Sequence, residues 1–264
     1  MYNLATSFIT VELIKLNIRL FVLFIFLLLV FVIIPPSPKN IAEEIEDFLA
    51  YYSNKPTKIQ ELTSLSLSVA NKSRIPPELL LSILIVESYK RPIIVRDIER
   101  SILAIFIKAR KFGITWLPDL SIGLPQLKLT TALWIDSGFK DTTPLSEQPT
   151  SRIKYIIKKL EHSETSVELC GLYLKRLLKM DQRLLKESRL HYNLLNIYPD
   201  LSAKVASKYQ GGIPIHSTKI NRYGKLVFLI SKSNLVKESF KKNVRLTIDE
   251  DKFRLPVPDP SPLD

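Results

Sequence analysis

From Leu20 to Ile34 every residue is leucine, phenylalanine, valine or isoleucine, and Pro35-Pro36 closes the run. A helix that crosses a bilayer needs about 20 residues, within a range of about 17 to 25. The run falls short of that, but Leu16 and Ile18 extend its apolar surface and Arg19 can snorkel to the interface. Lys15 and Arg19 precede the run, whereas Glu43, Glu44, Glu46 and Asp47 come after it. This asymmetry keeps residues 1–19 in the cytoplasm and sends everything after Pro36 across the membrane. A cleaved signal peptide is the competing expectation, and it lacks a small-x-small cleavage pattern after the run. The sequence therefore predicts an uncleaved transmembrane anchor over 20–36, followed by an ectodomain.

Composition narrows what that ectodomain can be. The chain has 264 residues, enough for one or two domains. Its 46% hydrophobic content and slightly positive mean hydropathy argue against disorder. Only 7 glycines occur, which disfavours phosphate-cradling loops and turn-rich β-sandwiches. A single cysteine, Cys170, excludes an intramolecular disulfide framework and thiolate-held metals. Three histidines, His162, His191 and His216, leave little material for a metal site, so no metal and no cofactor is expected. The net charge of +12 fits nucleic acid, anionic lipid, another polyanion or simply a basic surface. With no RGG run, zinc-finger spacing or RNP-like aromatic motif beside it, nucleic acid is not expected.

After a proline-rich spacer, apolar residues recur at helical spacing. Helices are predicted over Asn40–Tyr52, Lys58–Lys72, Glu78–Tyr89 and Ile93–Phe112, then a loop over Gly113–Pro125. Further helices are predicted over Thr130–Ser137, Ser151–Leu160, Val167–Lys186, Leu190–Tyr198 and Ser202–Tyr209. Tyr223–Val236 fits either helix or strand, and the proline-bearing tail from Asp249 is expected to be extended. The fold class is all-α. The expected division is a juxtamembrane helical region over 37–74, a main domain over 75–236 and a tail over 237–264.

Glu87 stands out within this pattern. It ends the segment Leu79-Leu-Leu-Ser-Ile-Leu-Ile-Val-Glu-Ser88, a carboxylate at the close of a mainly apolar helix. Burying an ionised carboxylate without a partner is strongly unfavourable, so the group pairs or raises its pKa. A carboxyl kept protonated near neutral pH is what a glycosidic general acid requires. Pairing with Lys90 or Arg91 is the plain structural alternative.

Two further segments join it in order. Leu120-Ser-Ile-Gly-Leu-Pro-Gln-Leu-Lys-Leu-Thr-Thr-Ala132 carries a glycine turn, a glutamine and a Thr-Thr-Ala helix start, and Ala206-Ser-Lys-Tyr-Gln-Gly-Gly212 closes a helix on tyrosine and glycines. Together with Pro77–Ser88 these resemble the lytic transglycosylases of the lysozyme-like superfamily. That family shows Glu-Ser after an apolar helix, a Ser-x-x-Gly-x-x-Gly-Leu-Met-Gln element before Thr-Ala, and later Ala-x-Tyr-Asn-x-Gly. Three departures stand out. Residues 92–118 look like an inserted helix and loop, Pro125 replaces the methionine, and Gln210 replaces the asparagine.

The resemblance implies a lysozyme-like helical domain and a lyase acting on the cell wall of bacteria. Its substrate is peptidoglycan glycan strands, met on the outer side of the cytoplasmic membrane. Glu87 would protonate the bridging oxygen between N-acetylmuramic acid and N-acetylglucosamine, then act as base on the C6 hydroxyl to give a 1,6-anhydro sugar. Gly123 and Gln126 would shape the adjoining sugar subsite, Ser121 would hydrogen-bond nearby, and Tyr209 would orient the acid or the acetamido group. Ser88 and Gln210 complete the substrate-binding set. Gln126 as a loop-capping amide and Tyr209 as a core ring are the structural alternatives. Trp116 and Trp134 could stack on sugars or sit in the core. A water-using muramidase with the same acid, or a catalytically silent wall-binding protein of this fold, are the alternative functions. For the muramidase, Asp119 is the carboxylate to watch, because a two-carboxylate hydrolase needs a second acid.

Overall fold

The computed structural model describes residues 40–91, 93–180, 199–211 and 220–253. The expected cytoplasmic segment 1–19, the anchor 20–36 and the helix predicted over Leu190–Tyr198 lie outside the described residues. So do the end of the helix predicted to Lys186, residues His191, Gly212 and His216, and the tail beyond residue 253. Among the described residues no helix is long and apolar enough to cross a membrane.

Ten α-helices account for most of the described chain, so the architecture is all-α. They are α1 Ile41–Ser53, α2 Pro56–Ser73, α3 Pro77–Lys90, α4 Ile93–Ala109, α5 Leu129–Asp136, α6 Thr150–Glu161, α7 Ser163–Met180, α8 Pro199–Gly211, α9 Arg222–Lys232 and α10 Asn234–Phe253. The proline pairs and caps explain several boundaries. Pro56 and Pro77 sit in first turns, where a missing N–H donor costs nothing. α2 ends where Arg74 turns left-handed at φ 57°, returning its N–H to the last carbonyls. At the start of α9 the Asn221 carboxamide accepts from the Gly224 N–H at 2.8 Å.

α3 is the central element. Leu79 to Val86 are buried without interruption, because α2 and α9 cover the helix on different sides. That explains why its sequence shows no polar face. α1 adds Phe48 and Tyr52 to the same core, and the Tyr52 hydroxyl donates to the Ile85 carbonyl at 3.1 Å. The described residues from Ile41 onward pack as one compact unit, with no break at residue 75.

Two parts depart from the sequence expectation. Inside the predicted loop, Ser121–Ile122 and Leu127–Lys128 form an antiparallel pair, β1 and β2, with Ser121 opposite Lys128 and Ile122 opposite Leu127. Two residues per strand are too few to show an alternating pattern. At the other end, the tail is not extended from Asp249, for α10 runs through Phe253. Its earlier turns dock Val236 and Phe240 on the core and hydrogen-bond Asn243 to Ser64 of α2 at 2.9 Å. The helix or strand left open at Tyr223–Val236 is the pair α9 and α10, broken at Ser233.

The residues expected to form an insertion are described from 93 onward and hold a helix as well. Leu103 and Ile107 bury one side of α4, and a 3-10 turn over Arg110–Phe112 ends it. Arg110 fixes that end by donating to the carbonyls of Leu145, Ser146 and Gln148 at 2.8 to 3.0 Å.

Candidate active site

Glu87 lies in the last turn of α3, where the helix leaves the core. Its carboxylate accepts a hydrogen bond from the Tyr223 hydroxyl at 2.7 Å. Arg91 pairs with Glu99 rather than with Glu87, and Arg96 donates to backbone, to the Arg91 carbonyl at 3.0 Å and the Glu87 carbonyl at 3.4 Å. Burial raises the Glu87 pKa to about 6, against the opposing pull of the Tyr223 hydrogen bond and the positive charges of Arg91, Lys90 and Arg96. Tyr223 is itself buried beside this carboxylate, which drives its pKa well up and keeps it a donor. The pair is an acid pushed up by burial and oriented by a phenol that pulls the other way.

A cleft of about 130 Å³ opens on this acid, lined by Glu87, Ser121, Gln126, Tyr209 and Gln210 together with Arg91, Leu127, Lys128, Thr131 and Tyr173. Five residues singled out in the sequence, from three separate segments, thus meet at one opening. Among the described residues lining it, Glu87 is the one carboxylate. A second cavity of about 170 Å³ adjoins at Ser121 and Gln126, walled by Arg96, Glu99 and Arg100 of α4 and by Glu161.

The β1–β2 turn sets the floor. Gly123 has φ 81°, and a Cβ there would stand 2.3 Å from the Leu160 carbonyl oxygen, so no larger residue fits. Gln126 is also left-handed, at φ 54°. Its amide nitrogen donates to the Gly123 carbonyl at 2.6 Å, while its buried side-chain oxygen has no hydrogen-bond partner. It therefore caps the turn with one end and keeps an unpaired acceptor at the other. Gly123 lines the second cavity and acts through its backbone.

Other expected residues take different roles. Ser88, one position on from Glu87 around the helix, is buried beside Tyr52 and does not line the cleft. Tyr209 reaches the cleft wall, but its hydroxyl donates to the Pro125 carbonyl and sits 3.7 Å from the Cys170 sulfur. It ties α8 to the hairpin turn, and the contact expected of it with the acid belongs to Tyr223. Gln210 is exposed and accepts from the Asn221 carboxamide at 3.0 Å. Trp134 packs edge-on to Phe139 and Tyr173 in the core, whereas Trp116 is exposed and lies edge-on to Phe106. Asp119 holds the start of α5, accepting from the Thr130 N–H at 2.9 Å and the Thr130 hydroxyl at 2.7 Å, and it does not line the cleft.

Sequence reasoning missed Tyr223. A signal was present, because a tyrosine on the apolar side of a helix must find a partner for its hydroxyl. What the sequence did not show was that the partner lies on α3. Comparison with protein-family models, curated proteins and solved structures gives no match at all.

Proposed function

We propose that the chain is a membrane-anchored peptidoglycan lytic transglycosylase with a lysozyme-like helical domain. The observation that carries this is the half-buried Glu87, with its pKa near 6, facing a cleft shared with Ser121, Gln126, Tyr209 and Gln210. A group that titrates there can give a proton and take one back near neutral pH.

The proposed reaction uses that property twice. Protonated Glu87 gives its proton to the glycosidic oxygen, the bond from C1 of N-acetylmuramic acid breaks, and the N-acetylglucosamine end leaves with a 4-hydroxyl. The substrate's own acetamido group stabilises the electron-poor C1. Ionised Glu87 then removes the proton of the C6 hydroxyl, whose oxygen closes on C1. The proton count on the enzyme is restored, and water is neither consumed nor released. Tyr223 is a positioning residue: it holds the carboxylate oxygen that does not carry the proton. Gln126 lines the cleft beside Glu87 and keeps an unpaired carboxamide oxygen just behind its surface.

The muramidase alternative needs a second carboxylate at the scissile bond. Asp119 is occupied at the start of α5, so Asp119→Asn, which keeps an acceptor for Thr130, should keep most of the cleavage activity and nearly all of the stability. The deciding experiment is digestion of peptidoglycan followed by mass spectrometry. Products lighter by about 18 Da than muramidase products, the mass of the one water that only hydrolysis adds, support the lyase. Products of hydrolysed mass together with an inactive Asp119→Asn would move the assignment to a hydrolase.

A further inference from the structure

Helix α4 is apolar on two sides, and only one is covered. Leu103 and Ile107 face the core, while Ile94 is 72% and Ile105 52% exposed. Ile94, the half-buried Ile98 and Ile105 fall within about 40° of one another around a regular helix, with the exposed Ser101 between them. Beyond its last turn Phe112 is 85% exposed, and Trp116, edge-on to Phe106 of the same helix, is 61% exposed. The apolar side and its tip extend about 25 Å at the rise of a helix. Scattered exposed leucines and isoleucines are ordinary, but a file of them ending in an exposed phenylalanine and tryptophan is not.

The charge around this stripe selects its partner. Arg100, Lys108, Arg110 and Lys111 accompany it, and no aspartate or glutamate occurs between Glu99 and Asp119. Arg100 is paired with Asp97 and Glu161, and Arg110 is engaged with backbone carbonyls, which leaves Lys108 and Lys111 as the basic groups beside the tip. An apolar stripe flanked by lysines and ended by aromatic residues matches an anionic bilayer interface. Position agrees. Glu44, one turn into α1, pairs with Lys90 at 3.0 Å, and Lys90 stands three residues before α4 begins. The start of α4 is therefore close to the start of α1.

We propose that α4 and its tip lie in the headgroup region of the anionic membrane that anchors the chain, a second attachment that holds the cleft at a fixed height above the bilayer. This rests on the anchored reading of Leu20–Ile34 and not on the chemistry of Glu87. One weak interfacial contact is sufficient when a tether already keeps it near the surface.

The test uses the full chain reconstituted into phosphatidylcholine–phosphatidylglycerol vesicles with brominated acyl chains. Trp116 is the reporter, since Trp134 is buried. Vesicle flotation and tryptophan quenching are read together. The expected result is co-flotation, with the Trp116 share of the emission lowered by contact with the brominated chains. That drop should vanish in Trp116→Phe and in the doubly substituted Ile105→Asp, Phe112→Ser, whose positions are exposed and leave the core intact. Co-flotation without Trp116 quenching overturns the docking and leaves the anchor standing. Failure to float overturns both. A Trp116 emission shift on adding soluble muropeptides to lipid-free, detergent-held protein would assign the stripe to glycan and overturn the membrane assignment.

Discussion

Glu87 is under two opposing demands. The apolar end of α3 disfavours its charge, while the Tyr223 hydroxyl and three nearby cations favour it, and burial wins. Glu87 is therefore harder to ionise in the folded chain than in the unfolded one, so its ionisation weakens the fold as pH rises through about 6. Glu87→Gln removes that charge while leaving an acceptor for Tyr223. It should be more stable than the wild type at pH 8, by up to about 2 kcal/mol. The difference should vanish below the ordinary carboxyl range, as read by urea denaturation at the two pH values. The same variant should lose at least about a hundredfold in cleavage, the lower end of general-acid contributions. Greater stability with retained activity would make Glu87 a mere buried carboxyl. Tyr223→Phe removes a hydrogen bond that lowers the Glu87 pKa. The alkaline limb of the activity profile should then move upward, by about one pH unit for a bond of ordinary strength, whereas loss of packing alone would lower activity without moving the limb. Of these two residues only Glu87 was legible in the sequence, because its contrast with its neighbours is local. Tyr223 lies 136 positions away and its role exists only once α9 is folded on α3.

At the scale of the helices, the site depends on how closely α9 approaches α8 and α3. Gly224, next to Tyr223, is where that approach is tightest. A Cβ there would stand 2.1 Å from the Ala203 carbonyl oxygen and from the Ser207 hydroxyl. Ser207 in turn accepts from the Asn221 N–H at 3.0 Å, holding the start of α9. Glu44 clamps the same corner by pairing with Lys90 at 3.0 Å and Arg222 at 2.9 Å, which joins α1, α3 and α9. Exposed pairs of this kind contribute roughly 0 to 1 kcal/mol each, so packing at Gly224 is the larger determinant. Gly224→Ala should destabilise the chain by about 1 to 3 kcal/mol, the range for forced overpacking. Because it pushes α9 away, it should also move the alkaline limb in the direction of Tyr223→Phe, which an unrelated loss of stability would not do. A mutant with ordinary stability and an unchanged pH profile would show that α9 has room to spare. The helices themselves were legible from apolar spacing, and α3 from its lack of a polar face. The β1–β2 pair was not, since its conformation rests on Gly123 and Gln126 at positive φ and on the Leu160 backbone, a contact between distant segments. Gly123 was legible as a turn, yet the reason it must be glycine became visible only against Leu160.

For the whole molecule, composition and periodicity were enough to give the all-α class, because few glycines and long apolar repeats leave little else. They did not show that residues 41–73 share one core with the helices from Pro77 onward. Amphipathic helices announce that they bury a face without saying against which neighbour, and Tyr52 bonding to Ile85 is the kind of contact that decides it. For the proposed anchor, orientation is a property of the full chain and follows from the charges that flank the apolar run. Lys15 and Arg19 stand before the apolar run and a block of acids after it, so the run should insert with its N-terminus inside and carry the cleft outward. A reporter that works only in the cytoplasm, fused after Asp264, should be silent, and one that works only outside should be active. Moving the basic residues across the run, by Lys15→Glu and Arg19→Glu with Glu43→Lys and Glu44→Lys, should raise the cytoplasmic signal several-fold, as expected where flanking charge sets orientation. Strong cytoplasmic signal from the unaltered chain would take the peptidoglycan substrate away from Glu87, since the glycan lies on the far side of the bilayer. The acid, its phenol and the cleft would then need another polymer to act on.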